Sequence, residues 1–125
     1  MAKLSNAYIA TNFLKLASSG KIDEAYNKYV DKKFIHHNTY YEGDRESLKQ
    51  GMIDSHKKVS NKIFKIHISI EEKDKVMTYS YVKQVPSNME IAVVHIFKIK
   101  NGKIVELWDV GQVIPKKSPN KNGMF

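Results

Sequence analysis

The chain has no cysteine, one arginine, three prolines and one tryptophan. Without cysteine there is no disulfide framework, no thiolate zinc site and no thiol nucleophile. No apolar run approaches the roughly 18–20 residues needed to cross a bilayer. The opening Met1-Ala2-Lys3-Leu4-Ser5-Asn6 lacks the apolar stretch and cleavage site of a secretory signal. These absences predict a cytoplasmic protein with no membrane partner. The scarcity of arginine bears on the net charge of +8, which by itself suggests nucleic acid. Arg45 is the single arginine among 21 basic residues. The rest are lysines, dispersed among acids and never in runs longer than pairs such as Lys32-Lys33. That leaves little capacity for bidentate contacts to guanine or phosphate, so no nucleic-acid partner is expected.

What is present suits one domain over residues 1–125, with 42% hydrophobic and 10% aromatic residues to build a core. Ser5 or Asn6 can cap a helix that carries Ile9, Phe13, Leu16 and Ala17 on one face, with Gly20 beyond its end. A shorter helix follows, with Ile22, Ala25, Tyr26 and Tyr29 in one stripe. Residues 34–43 read as irregular. Asp44 can cap a third helix bearing Leu48, Met52, His56 and Val59. From residue 62 the period changes to two, as Phe64, Ile66, Ile68 and Ile70 alternate with polar residues. Strands over 75–85, 90–99 and 103–113 follow, the last two joined by the hairpin signal Asn101-Gly102. Residues 115–125 read as a polar, irregular tail. Helices followed by an antiparallel meander predict an α+β domain with helices packed on one sheet face.

The last two predicted strands are apolar on both sides. Val93, Phe97, Val105 and Leu107 fall on one face, and Ala92, Val94, Ile96, Ile104 and Val110 on the other. Helices can cover only one face in so short a chain, so the other predicts a homodimer. Trp108 reads as packing on that sheet face. The hairpin register decides whether His95 meets Asp109. A two-residue loop at Asn101-Gly102 sets His95 opposite Trp108 and turns Asp109 to the other face. A three-residue loop, Lys100-Asn101-Gly102, sets His95 opposite Leu107, with Asp109 next along the same face. Pattern leaves both registers open.

The segment Lys103-Ile104-Val105-Glu106-Leu107-Trp108-Asp109-Val110-Gly111-Gln112 and the ending Asn120-Lys121-Asn122-Gly123-Met124-Phe125 resemble the SnoaL-like branch of the nuclear-transport-factor-2-like superfamily. So do Glu24-Ala25-Tyr26, Tyr29-Val30 and Phe34-Ile35-His36-His37-Asn38. The resemblance implies a cone: N-terminal helices in the concave face of a curved antiparallel sheet, enclosing a pocket and usually dimeric. It implies that Asp109 and His95 both point into the cone, with Asp109 as general acid/base and His95 beside it, and that neither metal nor cofactor is used. Of the adjacent His36 and His37, it favours His37 facing inward. Two positions depart from the pattern. Leu107 stands where many such sequences carry histidine, and Thr39 stands where many carry proline.

Chemically, a carboxylate in an apolar pocket is a competent base for a proton next to a carbonyl, and an imidazole can stabilise the resulting enolate oxygen. The expected catalytic residues are therefore Asp109 and His95, acting on a small apolar or carbonyl-containing ligand. Substrate-binding residues are expected at His37, Asn38, Phe97, Leu107 and Phe13. His37, His95 and Asp109 would form a two-histidine-one-carboxylate metal set only if they converged, and no close-spaced ligand pair supports one. A dimeric cone that binds an apolar ligand without turning it over is the alternative, and an interaction domain using the bare sheet face is a third.

Overall fold

The computed structural model describes residues 4–125. Three helices precede or interrupt a five-stranded sheet: α1 (Asn6–Ser18), α2 (Ile22–Tyr29), β1 (Val30–His36), α3 (Arg45–Lys58), β2 (Asn61–Glu72), β3 (Lys75–Val85), β4 (Glu90–Lys100) and β5 (Lys103–Val113). Ser5 caps α1, its hydroxyl accepting from the Tyr8 amide, and Asp44 caps α3 by accepting from the Ser47 amide. Gly20 ends α1 in the left-handed region at φ 90°.

The fold is α+β, with the helices on the inner face of a sheet ordered β1-β5-β4-β3-β2. The sheet is mixed rather than purely antiparallel. Val30–His36, whose last three residues were expected to be irregular, forms an edge strand parallel to β5. Its residues lack clean alternation because Asp31 to Phe34 bow away from β5 between the paired positions Val30–Ile104 and Ile35–Glu106. Edge position and irregular pairing together erase the period-two signal.

β2 holds a second departure. The ladder to β3 slips between Ile66 and Ile68, leaving His67 as an extra residue. Phe64 and Ile66 stay inward, whereas Ile68 and Ile70, expected on the same buried face, turn to the outer face and are about half exposed. The tail beyond β5 has no regular element, yet its last residues dock on that outer face. Phe125 stacks on His67 and Tyr79 at ring-centroid distances of 4.4 and 4.7 Å, and the Tyr79 hydroxyl donates to the Met124 carbonyl at 2.7 Å.

The core lies between α1, α2 and the inner sheet face. Ile9, Phe13, Tyr26, Val76, Phe97, Ile99, Ile104 and Leu107 meet there, with Phe13 edge-on to both Tyr26 and Phe97. Ile104, expected on the opposite face from Leu107, is inside this core. The cause is a bulge in β5 at Val105, which has no ladder partner on β4 or β1.

Candidate active site

That bulge settles the hairpin. Lys100 pairs with Lys103 across a two-residue turn whose Asn101 and Gly102 both have positive φ, 52° and 77°. Continued regularly, this turn would place Trp108 opposite His95. Val105 absorbs one residue instead, and beyond it His95 pairs directly with Asp109 and Phe97 with Leu107. Neither sequence register is the observed one. The turn is that of the first, and the shared face of His95 and Asp109 is that of the second.

His95 and Asp109 open onto a cavity of about 290 Å3 walled by Leu14, Met52, Phe64, Val82, Ile91 and Val93, among others. The space exists because α3 packs mainly against α2 and β1, while α1 holds to β2 and β3. Tyr41 closes part of the mouth. Gly51 in α3 makes room for its ring, since a Cβ there would lie 2.4 Å from the ring atoms.

Asp109 is held by one side-chain contact: the Asn38 amide nitrogen donates to its Oδ2 at 3.0 Å. Asn38 is itself fixed from two sides. Its backbone N–H donates to His36 Nδ1 at 3.1 Å, and its Oδ1 accepts from the Tyr40 amide at 2.9 Å. An imidazole nitrogen that accepts from an amide carries no proton, so His36 is neutral with its hydrogen on Nε2, directed at Ser47 Oγ 3.3 Å away. Burial agrees, holding the His36 pKa below the usual histidine value despite the nearby Asp109 and Asp44. The buried histidine of the pair is thus His36, 5% exposed, and not His37.

His37 points away from the cavity. Its Nε2 lies 2.7 Å from Glu106 Oε2, and its ring stacks on Trp108 at 5.0 Å and 7°. The inversion follows from the bowed start of β1, which shifts the alternation so that His36 reaches β5 facing inward. His37 therefore does not converge with His95 and Asp109 on a metal-binding arrangement. Among the described residues no cluster of three or more His, Cys, Asp or Glu side chains could hold a metal ion. Phe13, Phe97 and Leu107 also miss the cavity wall. They are 1%, 0% and 2% exposed and form the sealed core beside it.

The His95 ring lies along Phe97 at 5.9 Å and 24°. Its Nδ1 is sealed without a hydrogen-bond partner in the protein, as are the hydroxyls of Thr78, its ladder partner on β3, and Ser80. Loss of solvent pulls its pKa down to about 4, against the opposing pull of the Asp109 carboxylate. At neutral pH it is a neutral imidazole, which meets the cavity through the edge opposite Nδ1.

Sequence reasoning missed three members of the site. His36 was hidden by the irregular start of β1, and Tyr41 by its place in a loop. Lys62, on the inner face of β2, was hidden because a lone lysine in a lysine-rich chain reads as surface.

The profile of SnoaL-like polyketide cyclases matches residues 7–116. No curated protein matches the chain. Among solved structures, an NTF2-like protein of unknown function from Cytophaga hutchinsonii superposes with a TM-score of 0.71 at 13% identity, over 89% of this chain and 93% of that one. IdmH from Streptomyces antibioticus, a proposed polyketide cyclase, gives 0.73 at 13% identity over 86% and 93%. A proposed polyketide cyclase from Bacillus cereus gives 0.73 at 23% identity over 84% and 72%. At these identities the likeness is one of fold. No helix of the described residues is long and apolar enough to cross a membrane.

Proposed function

The chain belongs to the SnoaL-like polyketide cyclase family, and from that premise we propose that its cavity takes a small, mostly apolar carbonyl compound and performs acid/base chemistry on it. The observation that carries this is the direct pairing of His95 with Asp109 on one cavity wall, with Asn38 bonded to the carboxylate. Asp109 removes a proton from the carbon next to the carbonyl. Neutral His95, protonated on its cavity-side nitrogen, donates to the oxygen on which charge develops; an uncharged imidazole is a sufficient donor in a desolvated site. Asn38 keeps the carboxylate aimed, and the neutral ring of His36 keeps Asn38 in place. The cavity, at about 290 Å3, is at the small end of the roughly 300–1,000 Å3 range of ligand pockets, which favours a compact ligand over a multi-ring skeleton. The steps assigned to these residues are proton transfers, and the side chains named supply both the base and the hydrogen-bond donor.

The test needs no natural substrate. A panel of small ketones in deuterium oxide should exchange their α-protons faster with protein than without, and Asp109→Asn should abolish the acceleration while leaving the fold intact. Exchange that survives Asp109→Asn would overturn the reading. One observation favours a second reading, a ligand-binding domain without turnover: Leu107 fills the position where related sequences place a second histidine, and it is buried in core. That reading expects binding of the same ketones with no exchange.

We also propose that the outer sheet face pairs two copies of the chain. Val110 is 73% exposed there, beside Val94, Ile96 and Trp108. Sedimentation should report a dimer that Val110→Lys dissociates; a wild-type monomer would remove the proposal.

A further inference from the structure

Lys62 has no acid to answer it. It lies on the wall of the cavity that holds His95 and Asp109, beside Phe64, Val82 and Ile91, and is the lysine of that wall among the described residues. Among the described residues Lys62, like most lysines of the chain, forms no ion pair with a carboxylate; what sets it apart is its place on the cavity wall. Asp109, the acid of the same cavity, is bonded to Asn38 instead. Half-burial on this wall holds the Lys62 pKa below the usual lysine value. A partly desolvated amine on an apolar cavity wall is a setting suited to imine chemistry.

We propose that Lys62 is a nucleophile that condenses with an aldehyde or ketone bound in the cavity. The inference rests on the reading that the cavity takes a carbonyl compound. The Nζ lone pair attacks the carbonyl carbon, forming a C–N bond as the C=O π pair moves to oxygen. That oxygen collects both protons of the neutral amine and leaves as water, while the nitrogen lone pair closes the C=N bond. No oxidant or reductant is consumed. The protons reach the departing oxygen by exchange with solvent. Taking one further proton from solvent, the imine nitrogen becomes positively charged and draws electrons more strongly than the parent carbonyl, which makes the adjacent C–H more acidic.

Benzaldehyde with cyanoborohydride fixes such an imine as a benzylamine, and peptide mass mapping locates it. Lys62 should be benzylated at least about tenfold faster than any exposed lysine, because binding adds an effective concentration that surface lysines lack. Benzyl alcohol, which cannot condense, reports binding separately through amide shifts at Asn38 and Val93. Lys62→Met and Lys62→Arg should both keep benzyl alcohol binding and lose the fast site. Uniform labelling of lysines overturns the proposal. So does benzyl alcohol binding with Lys62 unmodified, an outcome that leaves the ligand reading standing. Absence of both binding and fast labelling overturns the two together. Benzoate binding that depends on Lys62, with no adduct from benzaldehyde, would make the residue an anion anchor and not a nucleophile.

Discussion

Phe97 and Leu107 face each other across β4 and β5; two residues further along the same strands, on the same inner face, His95 faces Asp109. The first pair is sealed, and the second opens on a cavity. Strand chemistry does not make this difference, because one ladder runs through both. What differs is the cover. Phe13 of α1, itself packed against Tyr26 of α2, closes over Phe97, whereas α3 leans on β1 and α2 and leaves the other pair uncovered. The lesson is that a single sheet face can be core and site at once, with the helices dividing it.

The comparison breaks most sharply at the sealed end. Phe97→Ala should cost about 3–5 kcal/mol in denaturant unfolding, the usual range for emptying a packed aromatic site, and the denaturant midpoint should fall accordingly. At the open end the largest effect comes from pH. An unfolded histidine binds a proton near pH 6.5, whereas folded His95 refuses it until about 4. The unfolded state therefore holds more protons between those values, so stability falls as pH drops through that window. The loss is on the order of 2–3 kcal/mol, and above pH 7 it is absent. Buried His36 acts in the same direction, so the measurement is the difference between wild type and His95→Gln across the window; parallel curves would mean that His95 is not buried neutral.

Asn38→Ala removes the bond to Asp109 and should cost about 1 kcal/mol of stability, with a larger proportional loss of ketone exchange. Equal losses in both would make Asn38 structural only. The smallest effect on stability is expected from Gly51→Ala. The helix gains about 1 kcal/mol of propensity, but the new methyl displaces the Tyr41 ring. Tyr41 is already partly exposed and can yield, so unfolding should barely change while ligand affinity does. An unchanged affinity would remove Tyr41 from the cavity mouth.

The helices were legible because their signals are local: Ser5 and Asp44 as caps, Gly20 as a stop, and apolar stripes between them. The meander was legible from alternation and from Asn101-Gly102. What escaped reading was every place where one strand carries an extra residue. At His67 and Val105, and in the bowed start of β1, alternation changes phase, and each phase change moves side chains to the other face. Ile68, Ile70, Ile104 and the exchange of His36 for His37 all trace to this one cause. Such bulges are settled by which face can be buried, a tertiary fact. Lys62 was illegible for another reason. Nothing local distinguishes a lysine that lines a cavity from one that meets water.

The bulge at Val105 also limits how the sequence can change length. Trimming Val105 itself would straighten β5 and still leave Asp109 opposite His95, because the step it absorbs would vanish with it. Losing one residue between Glu106 and Trp108 would instead turn the acid to the outer face, unless the bulge closed at the same time. For this hairpin the inherited quantity is parity: insertions and deletions are tolerated in pairs, or singly at the level where both neighbouring strands have already let go.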